Sequence, residues 1–338
     1  MANNVIKTWL DNARSSSTMQ SLMPSVLTVV LAIGAANFSW WLALVAVLGV
    51  WLAHMSLNLA DDYFDYKADM LKDREAVVRK GMKAFTAKYP YLTNGSATIT
   101  DLRNAVLVFG LLALACGAVV AWQRGLEILI LAAIAGFLGI FYSAPPIKFC
   151  YWGMGELVVG LIFGPLLMEG VWWAVTGAFD WWILTVSVPI GMQVVNILFT
   201  HSMIDLEGDA ASDKLTLAGL LRTNGLKLAM SALLNFGPFV IFVVSICLGT
   251  LHWAYLAVLL VLPRAIWLFW SLVQFTKGND IEKELVKPRK MLGPMGDWAS
   301  IREHKLDWFL IRWLTARNIV SGFCFITIVV HIILLFFR

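Results

Sequence analysis

Nine stretches of this chain stay apolar for about twenty residues at a time, the length a helix needs to cross a hydrocarbon layer of roughly 30 Å. They fall at about 21–38, 41–61, 104–122, 126–144, 154–175, 181–204, 227–248, 252–272 and 318–337. In lipid every backbone N–H and C=O must be satisfied within the protein, and strand-like alternation is absent, so bundled helices are the available solution. The expected fold is an all-α membrane protein of nine transmembrane helices, one domain over residues 1–338. Charged residues make up only 14% of the chain and hydrophobic ones 59%, whereas a soluble domain carries about 25% charged residues. A soluble enzyme, a disordered chain and a secreted disulfide scaffold are thereby excluded. Cys116, Cys150, Cys247 and Cys324 are widely separated, and three lie in apolar runs, so neither a zinc cluster nor a disulfide framework is expected. The N-terminus shows no short apolar core with a cleavage site, so no removable signal peptide is expected.

Basic residues set the orientation. All but three of the 26 Lys and Arg fall on the N-terminal tail or on loops of the same side; the exceptions are Arg124, Arg338 and the intramembrane Arg264. This bias places the N-terminus and the long loops 62–103 and 273–317 in the cytoplasm and the C-terminus outside, as in a bacterial inner membrane. Both loops exceed forty residues, a length that usually marks function or disorder. Trp298, Trp308 and Trp313, set among charges, predict that 273–317 lies along the membrane interface. A net charge of +4 gives no ground for a nucleic-acid partner, and no protein partner is expected.

Acidic residues cluster where two spans run out on the cytoplasmic side. Offsets of three and four place Asp62, Asp65 and Asp69 on one helix face, after Asn58 and Asp61; offsets of four do the same for Asp205, Asp209 and Asp213. Like charges so spaced repel, and a cation removes the conflict. All-oxygen ligands suit Mg²⁺, which commonly bridges carboxylates to substrate phosphates. The plainer reading is a pair of helix ends solvated by water. Lys72, Arg74, Arg79, Lys80, Lys83 and Lys88 follow the first stripe and Lys214 the second, either binding a polyanion or satisfying the orientation bias.

Other features stand near these ends. In the turn YSAPPIK, Pro145 and Pro146 stop a helix, and Tyr142 is either an interfacial aromatic or a face for a cation. Gly155, Gly160 and Gly164 allow close helix packing. Glu156, Glu169, Gln193, Asn196, His201 and Arg264 are polar groups inside spans, which usually face an interior cavity. Arg264 either neutralises one of the acids or binds an acidic substrate.

The paired motifs resemble the UbiA superfamily of intramembrane prenyltransferases. Asp62, Asp65 and Asp69 match its N-D-x-x-D-x-x-x-D pattern, with Asp61 in place of asparagine. Asp205, Asp209, Lys214, Thr216 and Leu217 match D-x-x-x-D-x-x-x-G-K-x-T-L, with Asp213 in place of glycine. The resemblance covers about residues 10–335. DDYFDYKAD, the Gly153-x-Gly155-Glu156 run, FGPLLMEG, the Asp205-x-Glu207-x-Asp209 run and the opening NARSSSTMQSLMPS, with Arg14 and Pro24, look most like the 1,4-dihydroxy-2-naphthoate prenyltransferases of menaquinone synthesis. There are departures. KYPYLTNG supplies Lys88 where that branch often has arginine, YSAPP is commoner in other branches, and 273–317 is unusually long.

The resemblance implies a helix bundle around a central cavity open to the cytoplasm. It further implies that Asp62, Asp65, Asp69, Asp205, Asp209 and Asp213 hold two Mg²⁺ ions through the diphosphate of a polyprenyl donor. Arg14, Arg79, Lys80, Lys88 and Lys214 then bind the diphosphate, and Asp61, Lys214 and Tyr142 are the catalytic candidates. Asn58, Lys148, Glu156, Asn196, His201 and Arg264 are candidates on the side of the aromatic acceptor. Asp61 and Asp213 are each a further ligand, a base or a solvated charge. No redox cofactor is needed. The alternatives are a related enzyme acting on a hydroxybenzoate, homogentisate, chlorophyllide or glycerophosphate lipid, or a transporter. A transporter predicts polar residues continuing to the far side, whereas both acidic stripes stop at one face.

Overall fold

The computed structural model describes residues 2–15, 18–70, 89–210, 213–279 and 281–337, apart from the side chains of 2–4, 68–70 and 282–283. All regular structure among them is helical. Seven helices are long and apolar enough to cross a membrane: Trp40–Lys67, Ile99–Arg124, Gly155–Thr176, Trp181–Ile204, Asn224–Cys247, Trp253–Thr276 and Asp307–Phe336. The other two expected spans are apolar helices of 13 residues, Met19–Leu31 and Ile128–Ile140, each about 20 Å long. The first is cut short by a turn in which Gly34 and Asn37 take positive φ of 87° and 58°.

Two boundaries and one local geometry differ from expectation for identifiable reasons. The second span continues as helix to Met70, because Tyr63, Phe64 and Tyr66 interleave its carboxylates and keep an apolar face. The last helix begins at Asp307 rather than near 318, so Trp308 and Trp313 belong to a span. Its hydropathy is masked by Arg312, which is nevertheless buried and donates to the Trp308 and Ser271 carbonyls. Pro165 lies in a π-helical turn, Ile162–Leu166, within Gly155–Thr176, where a ring without an N–H widens the helix.

Two compact units make up the chain. The first comprises the described residues to 149 together with 166–180; the second comprises 150–165 and the described residues from 181 onward. In the first, Trp40–Met70 runs antiparallel to Ile99–Arg124, where Ser56 Oγ donates to the Val106 carbonyl at 2.9 Å. Leu52, Met55, Leu59, Tyr91, Leu92 and Leu102 form its core near the acidic end. At the other end Arg124 donates to the carbonyls of Asn37, Ala174 and Val175.

In the second unit Leu184–Ile204 is the central helix, packed against Gly155–Leu161, Asn224–Cys247 and Asp307–Phe336. Glycine makes this approach possible: a Cβ on Gly164 would lie 2.6 Å from Gly191 Cα and from the Ser187 carbonyl. The close packing expected of Gly160 and Gly164 is therefore observed.

The 273–317 region departs most from expectation. After Thr276 the chain forms short helices at Glu282–Val286, Lys290–Leu292 and Trp298–Glu303. Its middle does not lie along the helix ends but turns back between two spans. Arg264 Nε donates to the Met291 carbonyl (2.7 Å), and Asn318 Nδ2 donates to those of Leu292 (3.0 Å) and Pro294 (2.9 Å). Arg264 and Asn318 stand twelve and eleven residues from the loop-side ends of their helices, so the turn reaches back about 16–18 Å. Gly293, at φ 91°, is required at its apex, where a Cβ would meet Asn318. Ile281, Leu292, Met295, Ile311 and Leu314 pack around Trp267 to form its core.

Candidate functional site

The first acidic stripe lies in the first unit. Asp62 is buried, 1% exposed, and both carboxylate oxygens are engaged: Oδ1 accepts from Arg14 Nη2 at 3.0 Å and Oδ2 from the Tyr91 hydroxyl at 2.8 Å. Arg14 also donates to the Asn58 carbonyl at 2.9 Å and approaches Asp61 Oδ2 at 3.9 Å. Asn58 returns a bond to the Ala13 carbonyl at 3.0 Å. Farther along the same helix Trp51 donates to Thr18, and His54 Nδ1 lies 2.7 Å from Ser21 Oγ.

These bonds fasten the whole N-terminal segment to the second span. Tyr91, in the short helix Pro90–Thr93, sets its ring edge-on to Trp9, with 5.9 Å between centroids. Burial, and then the adjacent Asp62 carboxylate, push its phenol above the usual tyrosine range, so it stays a hydrogen-bond donor. Asp65, one turn on, is also buried. The Asp69 side chain and Arg79, Lys80 and Lys88 lie outside the described residues.

The second stripe closes the central helix of the second unit. Asp205 caps Leu184–Ile204, and Asp209 sits in the following short helix, Leu206–Ala210; both are buried. His201, Asp205 and Asp209 each offer one ligand atom, and all three atoms lie within 4.8 Å of one another. The His201 ring also stands edge-on to Phe309, at 4.9 Å. Two buried carboxylates suit a hard cation such as Mg²⁺; the imidazole nitrogen is the one donor outside an all-oxygen set.

Glu156 holds this motif in place. Its Oε1 accepts from Ser202 Oγ at 2.9 Å and from the Leu217 amide at 3.0 Å, tying together the residues that flank the carboxylates. Between them, the Lys214 amide donates to the Asp209 carbonyl at 3.0 Å, and Lys214 Nζ stands 5.4 Å from the Tyr151 ring centroid. Asp213 takes φ of 55°, a left-handed conformation that aspartate tolerates and glycine prefers. Aspartate in place of the superfamily glycine thus keeps a left-handed conformation at this turn.

Of the acceptor-side candidates, His201 joins the acidic cluster. Glu156 supports it, Asn58 anchors the N-terminal segment, and Asn196 pairs with Asn235 Oδ1 at 3.1 Å between helices. Arg264 reaches backbone carbonyls rather than an acid. Tyr142 and Lys148 lie half-buried in the turn after Ile128–Ile140, Lys148 at φ 54°. Tyr91 and Ser202 were not legible as site residues, since no spacing links either to the carboxylate it serves. The tyrosine beside Pro90 at a helix start was the only available signal.

A family model described as the UbiA prenyltransferase family matches residues 22–291. A Synechocystis protein named 2-carboxy-1,4-naphthoquinone phytyltransferase is 31% identical over 47% of this chain and 47% of its own length. A 1,4-dihydroxy-2-naphthoate octaprenyltransferase from Mycobacterium tuberculosis is 28% identical over 62% of this chain and 68% of its own. The chain thus spans about half the length of the first relative and two thirds of the second. Among solved structures, a digeranylgeranylglyceryl phosphate synthase aligns with a TM-score of 0.60 at 16% identity, covering 97% of this chain and 98% of the other. A protein described as a UbiA homologue from Archaeoglobus fulgidus, solved with GPP and Mg²⁺, gives 0.56 at 14% identity, covering 93% of this chain and 99% of the other. Both show the same fold.

Proposed function

The chain belongs to the UbiA prenyltransferase family, and on that premise we propose that it transfers a polyprenyl group from a prenyl diphosphate to an aromatic acceptor in a Mg²⁺-dependent reaction. The acceptor we infer is 1,4-dihydroxy-2-naphthoate, with loss of carbon dioxide, in menaquinone synthesis. The names of the cyanobacterial and mycobacterial relatives support that choice. A related enzyme with another acceptor is the second reading, favoured by the YSAPP turn. The observation that carries the reaction class is the cluster of His201, Asp205 and Asp209.

Asp205 and Asp209, with His201 beside them, would hold Mg²⁺, as would Asp61, Asp65 and Asp69 of the first motif. Bound there, the ions supply charge that turns the diphosphate into a good leaving group. Lys214 and Arg14 add fixed positive charge for the same anion, and Arg79, Lys80 and Lys88 are assigned to it from sequence. The allylic C–O bond breaks and its electron pair leaves with the diphosphate. The Tyr142 ring stabilises the resulting cation, and exclusion of water protects it from hydrolysis. An electron-rich ring carbon then forms the new C–C bond, and carbon dioxide, or a proton for other acceptors, departs to restore aromaticity.

Asp62 and Glu156 touch no reactant in this scheme; they are positioning residues. The prenyl tail lies among apolar helices, where each buried methylene contributes roughly 0.8 kcal/mol. Both motifs work on the cytoplasmic side. The test is product formation from radiolabelled prenyl diphosphate and 1,4-dihydroxy-2-naphthoate in nanodiscs, with and without Mg²⁺, for the wild type, Asp65→Asn and Asp209→Asn. Mg²⁺-dependent prenylated product that both variants lose is expected; full activity in both would sink the metal assignment.

A further inference from the structure

The turn that re-enters the second unit leaves a groove beside it. One face of the helix Leu262–Thr276, formed by Pro263, Ile266, Trp267 and Trp270, is one wall; Arg289 and Met291 of the returning segment are the other, around a cavity of about 420 Å³. Offsets of three and four put the four helix residues on one side. They stand between about 9 and 20 Å from the helix's loop-side end, a length that an acyl chain can follow. The walls are open on the outer side: Ile266 is 52% exposed and Trp270 40%.

Two features distinguish this groove from the ordinary lipid-facing surface of a span. Trp267 is buried, yet its indole N–H has no acceptor among the described residues. Buried donors normally have a partner, so an oxygen from outside the protein is missing here. The returning segment also presents Lys287, Arg289 and Lys290, all exposed. Glu284 answers only Arg289, through Nη2 at 2.6 Å, and leaves that guanidinium further donors. Among the described residues of this stretch, cations therefore outnumber anions by three to one.

We propose that the groove binds one phospholipid with an anionic headgroup. An acyl chain lies along Pro263, Ile266 and Trp270, an ester oxygen accepts from Trp267, and the phosphate meets Arg289 and its neighbouring lysines. Apolar walls with a few placed polar groups are the usual composition of such a site. The site stands independently of the reaction proposed above, because none of its residues belongs to either acidic motif.

Native mass spectrometry of the full-length protein, offered equal phosphatidylglycerol and phosphatidylcholine, tests it. One phosphatidylglycerol is expected to remain bound in preference. Ile266→Trp fills the groove from an exposed position and should abolish that retention while leaving the melting temperature unchanged. Replacing Lys287, Arg289 and Lys290 together by glutamine should weaken it by roughly a hundredfold. Equal retention of the two lipids, or retention unchanged in both variants, would overturn the proposal. So would competition by glycerol phosphate at the same concentration as the lipid, which would mark a bare anion site, or displacement by an equimolar prenyl diphosphate, which would mark a path for the donor.

Discussion

Tyr91 donates its phenolic hydrogen to Asp62 Oδ2 across 2.8 Å, from a helix of only four residues. With Arg14 on the other oxygen, both carboxylate oxygens are hydrogen-bonded inside the protein, although the motif around them reads as a run of metal ligands. Tyr91→Phe removes a hydrogen bond to a charged group and should cost about 1.5–3 kcal/mol, read as a lower melting temperature. Asp62→Asn should lose comparable stability while keeping Mg²⁺ affinity. If Asp62→Asn instead abolishes Mg²⁺ binding without altering stability, the positioning role is wrong.

The same pair gives a pH dependence. Because the folded protein raises the Tyr91 pKa, first through burial and then through Asp62, its contribution is complete below the unfolded value of about 10 and is lost as pH rises beyond it. Melting curves from pH 8 to 11 should therefore fall less steeply for Tyr91→Phe than for the wild type. Parallel curves would contradict this.

Glu156 makes both of its motif-holding bonds through one oxygen. Glu156→Gln can keep that acceptor and should remain close to wild type in stability. Glu156→Ala strands the Ser202 hydroxyl and the Leu217 amide, at about 1–3 kcal/mol each. A sharp fall for the alanine variant alone, in thermal unfolding and in turnover, is the expected pattern; equal falls would point to the charge rather than the geometry.

Asp213 occupies a left-handed turn, so its backbone, rather than its charge, should dominate the response to substitution. Asp213→Gly should retain activity and gain up to about 1 kcal/mol, and Asp213→Val should lose more than that. Loss of Mg²⁺-dependent turnover in a stably folded glycine variant would restore Asp213 as a ligand.

Close packing supplies a sharper contrast. Gly164→Ala drives a methyl group onto the backbone of the facing helix at Gly191, whereas Gly170→Ala meets nothing within 4 Å. The first should destabilise by about 1–3 kcal/mol, and the second should be neutral or slightly stabilising. Thermal unfolding of the two variants decides it.

Much of this was legible beforehand. Apolar length found the helices, and the offsets among Asp205, Asp209 and their neighbours marked the second motif. Hydropathy stumbled where charge is satisfied locally: Arg312 and Arg317 hid the first turns of the last helix, and aromatic residues carried the second span on to Met70. The partners of intramembrane polar groups were harder. Arg264 suggested a carboxylate, but backbone carbonyls also satisfy an arginine, and every residue offers one whatever its side chain. Tyr91 and Asp62 meet through the fold, twenty-nine positions apart.

Arg264 has a further consequence for how the protein is made. Its carbonyl partners belong to Met291 and Asn318, which leave the ribosome after the helix that carries it. That helix must therefore enter the bilayer with its arginine unanswered, at a cost of about 2.5–3.5 kcal/mol. The debt is cleared only when the returning turn and the final span arrive together. Synthesis that stops before Asn318 should thus yield a helix that is poorly retained in the membrane, and quality-control proteases would recognise the truncated chain by it.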